Sequence, residues 1–215
     1  MADFEQGYFD GDAAYGGHYD RRNPPYKWRA VLDFVGQHQR GGRLLDVGCA
    51  YGAFLEQASD RYDCWGTDIS DHAVQRAEQR VPGATVVPGG LFDAEVPAGT
   101  FDALCLFDVI EHLPDLPAAF ARFEELLAPS GVLFLTVPVY DGPLGPLVHI
   151  ADKDPTHLHK WARQAWLDEL GRQGWRVRQW EGIFRYFLAG RWYLHRQTRR
   201  LRGVGTAILV AAERG

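Results

Sequence analysis

Short apolar runs alternate with segments of helical periodicity along most of the chain. Strands are predicted at 43–47, 62–69, 84–88, 101–107 and 131–138, and helices at 51–59, 70–80 and 116–128. No helix is predicted between 84–88 and 101–107. Buried strands of a parallel sheet are apolar on both faces, and helices connect them. The pattern therefore predicts an α/β fold with helices on both faces of a mostly parallel sheet.

Three segments depart from this alternation. Residues 1–23 are rich in Gly, Tyr and Asp and lack periodicity, so we expect them to form an N-terminal lid over a ligand. A helix is predicted to start after them, at Pro24 and Pro25. Residues 139–160 combine prolines with three histidines, and 183–203 combine arginines with aromatic residues. We predict that both are insertions on the substrate side of the sheet, within a single domain spanning 1–215.

The end of the chain supplies the remaining predicted elements. We expect a helix at 162–172, a strand near 175–180 and a last strand at 205–213. These bring the predicted number of strands to seven.

Composition narrows the class of protein. With 46% hydrophobic and 24% charged residues and a net charge of −5, the chain has the profile of an ordinary globular protein without a global preference for polyanions. Three cysteines without CxxC spacing fit reduced core thiols. The absence of a signal-peptide pattern or a long apolar span leads us to expect a cytoplasmic protein.

The stretch 44-LLDVGCAYGAFLE-56 carries the clearest chemistry. A predicted strand ends in Asp46, and the chain then turns through Gly48 and Gly52 into a helix. Glycines allow close approach of a ligand to the backbone, and the helix start offers unpaired N–H groups. A carboxylate at this position would repel a pyrophosphate, so the pattern favours a cationic ligand over a dinucleotide.

This stretch resembles the first motif of the class I S-adenosylmethionine-dependent methyltransferases. Three further segments follow in the order of that family: GTDIS, FDALCLFDVIEHL and LLAPSGVLFLTVP. The resemblance covers roughly residues 28–138. It implies a Rossmann-like doubly wound, mostly parallel seven-stranded sheet with an antiparallel C-terminal strand, and S-adenosylmethionine as cofactor.

The resemblance also implies cofactor-binding positions. Asp68 would accept both ribose hydroxyls, Ile69 would lie along the adenine, and Ala50 stands where the family usually has glycine. The full predicted set is Tyr19, Asp46, Gly48, Ala50, Gly52, Asp68, Ile69, Leu91, Phe92 and Phe107.

The segment 108-DVIEHL-113 is polar for the end of a buried strand. Together with His157, four residues before a tryptophan, it resembles the metal site of ubiquinone-pathway O-methyltransferases and small-RNA 2′-O-methyltransferases. That resemblance implies Asp108, Glu111, His112 and His157 as ligands of a divalent ion such as Mg²⁺. Without metal, His112 or His157 could serve as a base beside Glu111, and a purely structural role is the third alternative.

The function predicted from these motifs is methyl transfer to an oxygen or nitrogen of a small molecule. One alternative is a metal-assisted 2′-O-methyltransferase of an RNA terminus, and another is an inactive cofactor-binding partner protein. The arginines of 183–203 fit a solvated face, or contact with RNA or a membrane surface.

Overall fold

The protein is described here by a computed structural model that covers residues 19–152, 154–188 and 192–215. Within these ranges one sheet contains eight strands in the order β3-β2-β1-β4-β5-β8-β6-β7. The first five are mutually parallel, and β8, β6 and β7 join by antiparallel pairing. The strands are β1 (Arg43–Val47), β2 (Asp63–Asp68), β3 (Thr85–Pro88), β4 (Phe101–Phe107), β5 (Leu127–Pro138), β6 (Trp175–Leu188), β7 (Trp192–Thr198) and β8 (Ala207–Arg214).

Helices cover both faces of this sheet. They are α1 (Tyr19–Arg22), α2 (Pro25–His38), α3 (Ala53–Ala58), α4 (Asp71–Arg80), α5 (Leu116–Leu126), α6 (Gly145–Ala151) and α7 (Arg163–Arg172), with single 3₁₀ turns at Ile110–His112 and Arg202–Val204. The predicted α/β fold class is confirmed. Within the described ranges, no helix has both the length and the apolar character needed to cross a bilayer.

Alternating side chains along each strand build two cores. On one face, Phe54 and Phe134 pack with α2 and α3, and on the other, Phe123 and Leu104 pack with α5. The adjacent residues Leu44 and Leu45 point to opposite cores, as the period of two requires. A fully buried side chain of this size stabilises the fold by about 1.5–3 kcal/mol.

The sheet has one strand more than the seven predicted. The stretch 183–203 was expected to be an insertion, but β6 continues through it to Leu188 and β7 returns in antiparallel register, with Arg185 opposite His195. Within it, only Phe184, Arg185 and Tyr186 alternate in polarity as strand residues do. The segment 139–160, predicted as the other insertion, contains helix α6.

Most of the predicted lid, residues 1–18, lies outside the described residues. The described part, α1, contacts the turn after β1 and the end of α4. The ring centres of Tyr19 and Tyr51 are 4.5 Å apart, and Arg80 donates a hydrogen bond to Asp20 at 2.5 Å. Helix α1 therefore lies over the carboxyl ends of the first strands.

Candidate active site

A cavity of about 680 Å³ opens at the carboxyl ends of β1, β2 and β4. This is the edge at which open α/β sheets bind ligands. Eight of the ten predicted cofactor residues lie on its wall: Tyr19, Asp46, Gly48, Ala50, Asp68, Ile69, Leu91 and Phe107.

The turn after β1 is shaped by left-handed backbone conformations. Gly48 has φ 74°, and a Cβ there would lie 2.6 Å from Val109 Cγ2, so a side chain does not fit. Ala50 also has a positive φ of 48°, which is strained for an L-residue. Gly52, at φ 71°, begins α3 and lies off the cavity wall.

The carboxylate of Asp68 is held in a fixed orientation at the end of β2. Its Oδ2 accepts a hydrogen bond from Ala50 N at 2.8 Å, and its Oδ1 accepts one from Ser70 N at 3.0 Å. Ser70 in turn accepts from Ala73 N and caps α4. Through these hydrogen bonds Asp68 connects the turn after β1 with the turn after β2 at the cavity.

The acid Asp46 and the base Lys27 line the same cavity, and both are buried, at 3% and 8% exposure. Burial, with a further contribution from Asp68, raises the pKa of Asp46 well above its ordinary range. Burial lowers the pKa of Lys27 to about 7, although the charge of Asp108 opposes this. Lys27 donates to Asn23 Oδ1 at 2.9 Å, and its ammonium group lies 4.1 Å from the Trp28 ring centre.

The loop after β3 only partly matches the prediction. Leu91 is buried on the cavity wall, but Phe92 is 51% exposed and lies away from it. The reason is local: Asp93 accepts from Gly90 N at 2.8 Å, and this tight turn directs consecutive side chains apart.

Asp108, predicted as a metal ligand, is bound instead by an arginine. Arg185 of β6 donates two hydrogen bonds to its carboxylate, one at 2.9 Å, and Thr136 donates a third at 3.1 Å. Burial alone would raise the pKa of Asp108, but Arg185 holds it below its ordinary value. Asp108 adopts φ 58°, so this ion pair fixes a strained residue at the end of β4.

Glu111, His112 and His157 come together as the sequence predicted. One ligand atom of each lies within 4.8 Å of the others. Glu111 is fully buried off the cavity wall, and neither carboxyl oxygen has a hydrogen-bond partner among the described residues. Burial, reinforced by the charge of Asp108, raises the pKa of Glu111 well above its ordinary range.

The two imidazoles line the cavity side by side, with ring centres 4.7 Å apart. His112 Nδ1 lies 3.1 Å from the Thr156 carbonyl oxygen, so this nitrogen carries the proton. Burial, together with His157, lowers the pKa of His112. His157 Nδ1 lies 3.0 Å from Asp152 Oδ2 and 3.2 Å from the Tyr140 hydroxyl.

The family comparison agrees with this geometry. The family model described as "Methyltransferase domain" matches residues 18–180, which include β1 to β5 and the cavity. The chain belongs to the class I S-adenosylmethionine-dependent methyltransferases. The predicted family is therefore confirmed.

Several curated methyltransferases are similar in sequence. The nocamycin O-methyltransferase of Saccharothrix syringae is 38% identical over 133 residues, which cover 55% of this chain and 47% of that protein. The aklanonic acid methyltransferase DauC of Streptomyces sp. (strain C5) is 29% identical over 84% of this chain and 81% of that protein. This methyltransferase thus matches about half the length of the first relative and most of the second.

Solved structures share the fold at low sequence identity. An S-adenosylmethionine-dependent methyltransferase of Thermotoga maritima, described as a possible histamine N-methyltransferase, superposes with a TM-score of 0.66 at 15% identity, covering 87% of this chain and 89% of that one. A methyltransferase of Haloferax volcanii, solved with the activator Trm112, gives a TM-score of 0.68 at 16% identity, with 91% and 90% coverage.

Among the polar residues of this site that were not predicted from the sequence are Asn23, Lys27, Asp152 and Arg185. Lys27 carried a usable signal, because it lies on the otherwise apolar face of α2 beside Trp28 and Val31. Arg185 and Asp152 reach the site only through the fold of the last strands and the loop after α6.

Proposed function

We propose that this protein transfers the methyl group of S-adenosylmethionine to an oxygen of a small molecule. The observation that carries the proposal is the continuity of the cavity: the turn after β1 and Asp68 form one end, and His112 and His157 form the other. Bound S-adenosylmethionine supplies an electrophilic methyl group on a sulfonium. The protein then needs to align an acceptor and provide a route for its proton.

The residues at the first end fit this cofactor. Gly48 presents bare backbone on the cavity wall, and Asp68 presents a fixed carboxylate to which ribose hydroxyls can donate. Asp46 and Lys27 supply an acid and a base that can pair with the ammonium and carboxylate groups of an amino acid once it is bound. We propose that Lys27 binds the carboxylate of the methionine part.

The second end fits an acceptor with an apolar body and one hydroxyl. Apolar residues form much of the wall there, and the two histidines contribute polar atoms beside those of Asp108 and Thr156. The wall residues at this end are Val109, Leu113, Pro114, Pro155 and Leu158. The names of the relatives that act on nocamycin and aklanonic acid support small organic acceptors.

An RNA terminus is less well supported. RNA binding needs guanidinium groups that are available to phosphates. Arg185 is bound to Asp108, and Arg199 donates to Glu181 at 2.8 Å and to Gln37 at 2.5 Å. Several arginines of the basic segment therefore serve the fold.

The donor set does not fit the divalent ion implied by the motif. Asp108 is bound by the guanidinium of Arg185, which also brings a positive charge close to Glu111. The remaining two imidazoles and one carboxyl group differ from the oxygen ligands that Mg²⁺ prefers. The proposed mechanism therefore has no step through a metal ion.

The function is tested by a transfer assay with radiolabelled S-adenosylmethionine against catechols, phenols, sugars, amines and short RNAs. We expect label in an oxygen-bearing small molecule with an apolar body. Exclusive labelling of RNA, or no labelling of any acceptor by protein that binds the cofactor, would contradict the proposal.

A further inference from the structure

We propose that His157 is the base that takes the proton of the acceptor hydroxyl, and that Asp152 is the residue that positions it. This inference rests on the proposed function, because it assigns roles within the same reaction. It rests on three features: a hydrogen bond to one ring nitrogen, an anchored carboxylate behind it and the position of the ring on the cavity wall.

The tautomer of His157 follows from its neighbours. The Tyr140 hydroxyl donates to Asp152, so it does not donate to the imidazole at the same time. Asp152 can only accept, and therefore His157 Nδ1 carries the proton that lies in the 3.0 Å contact with Asp152 Oδ2. The other nitrogen, Nε2, is left with its lone pair.

Asp152 has the properties of a carboxylate that orients a base. It accepts from Lys160 Nζ at 2.8 Å, and the backbone N of Asp154 donates to its other oxygen at 3.1 Å. Burial alone would raise its pKa, but the hydrogen bonds from Lys160, Tyr140 and His157 hold it below the ordinary range. The carboxylate is thus ionised and fixed from several sides before any proton moves.

The surroundings favour His157 over His112 as the base. His112 Nδ1 contacts the Thr156 hydroxyl at 2.8 Å and the Thr156 carbonyl oxygen at 3.1 Å, and these neutral groups stabilise an imidazolium less than a carboxylate does. A second contact links His157 to an acid, since its Nε2 lies 4.0 Å from Asp154 Oδ2. The titratable groups of the described residues that surround the His157 ring are Glu111, His112, Tyr140, Asp152, Asp154 and Lys160.

The acceptor oxygen forms a bond to the methyl carbon while the carbon–sulfur bond breaks, and the electron pair of that bond stays on sulfur as a neutral thioether. The acceptor O–H bond breaks, and its proton moves to His157 Nε2. The imidazolium that results is stabilised by Asp152.

The test is ¹⁵N NMR of histidine-labelled protein saturated with S-adenosylhomocysteine, which reports the tautomer of each ring without any acceptor. We expect His157 to carry its proton on Nδ1. In Asp152→Ala the Tyr140 hydroxyl loses its acceptor and can donate to Nδ1, so the proton should move to Nε2. Asp152→Asn keeps an accepting oxygen and should retain the original tautomer in part.

Asp154→Asn removes the carboxylate that lies 4.0 Å from Nε2 and should leave the proton on Nδ1, so this variant separates the effects of the two acids beside the ring. The inference would be overturned if wild-type His157 carried its proton on Nε2. It would also be overturned if the tautomer changed in Asp154→Asn and not in the Asp152 variants. With the acceptor found in the transfer assay, His157→Gln should lower kcat by about 10²- to 10⁴-fold with little change in KM. His149→Gln, in the exposed part of α6, should keep wild-type kcat.

The two proposals fail in different ways. Wild-type protein that transfers no methyl group would overturn the proposed function, and the role of His157 with it, whatever the tautomer. Methyl transfer that persists at the wild-type rate in His157→Gln would overturn only the assignment of the base.

Discussion

Arg185 donates two hydrogen bonds to the carboxylate of Asp108, and this ion pair joins strand β6 to the end of strand β4. The two residues are 77 positions apart in the chain. The pair therefore fixes the last part of the sheet against the loop that carries Glu111 and His112.

Replacing Arg185 should destabilise the fold. Breaking a fully buried pair costs about 3–5 kcal/mol, but Arg185 and Asp108 keep 21% and 31% side-chain exposure, so we expect Arg185→Gln to cost about 2 kcal/mol. Denaturant unfolding measures this change. Arg196→Gln, at an exposed position of β7, should change stability by less than about 0.5 kcal/mol.

The cost of Arg185→Gln should depend on pH. Because the folded-state pKa of Asp108 lies below 3.8, the pair stabilises the protein above that value and loses its effect as pH falls through the folded pKa. The difference between wild type and variant should therefore shrink in acid. A difference that stays constant throughout the acid range would show that Arg185 acts through packing.

Ala50→Gly should stabilise the protein. An L-residue in the left-handed region costs about 1–2 kcal/mol, and the greater freedom of glycine in the unfolded chain offsets part of the gain, so we expect an increase of about 1 kcal/mol. Ala121→Gly, at an exposed position within α5, is the control and should cost about 1 kcal/mol. Equal destabilisation by both variants would argue against strain at position 50.

The turn containing Ala50 also shows what the sequence could and could not predict. The strand ending in Asp46 and the helix after Gly52 follow from local apolar periodicity, and the observed β1 has the predicted bounds. The positive φ of Ala50 could not be predicted, because the fold imposes it through the hydrogen bond from its N–H to Asp68.

Long-range pairing explains the other differences. The spacing of Asp108, Glu111 and His112 predicted that they lie together, but not that Arg185 would reach Asp108. That contact exists because β6 extends into a hairpin, and strand pairing across the sheet depends on residues far apart in the chain. Phe92 was misplaced for a local reason, the turn closed by Asp93.

Cofactor binding should take up a proton through Lys27. Its pKa of about 7 leaves the amine mostly neutral at about pH 8, and a bound carboxylate would raise that pKa. Calorimetry in buffers of different ionisation enthalpy should show uptake approaching one proton at about pH 8 and little at about pH 6. Lys27→Met should abolish the uptake, whereas Lys160→Met should preserve it.

Metal removal should leave methyl transfer intact. Since Asp108 is bound to Arg185, we expect protein treated with a chelator to turn over its acceptor at the untreated rate. Metal analysis of the same sample provides the control. Activity that is lost on chelation and restored by Mg²⁺ would contradict the metal-free mechanism.

The central claim is that the cavity between the turn after β1 and Asp68 binds S-adenosylmethionine, and calorimetric titration with that cofactor tests it most directly. Asp63→Ala, at the exposed start of the same strand, is the matched control for Asp68→Ala. We predict saturable binding by wild type and Asp63→Ala and a loss of at least about tenfold in affinity in Asp68→Ala, the size expected when a hydrogen bond to a charged group is removed. Equal affinity in all three proteins, or no binding by wild type, would contradict the account.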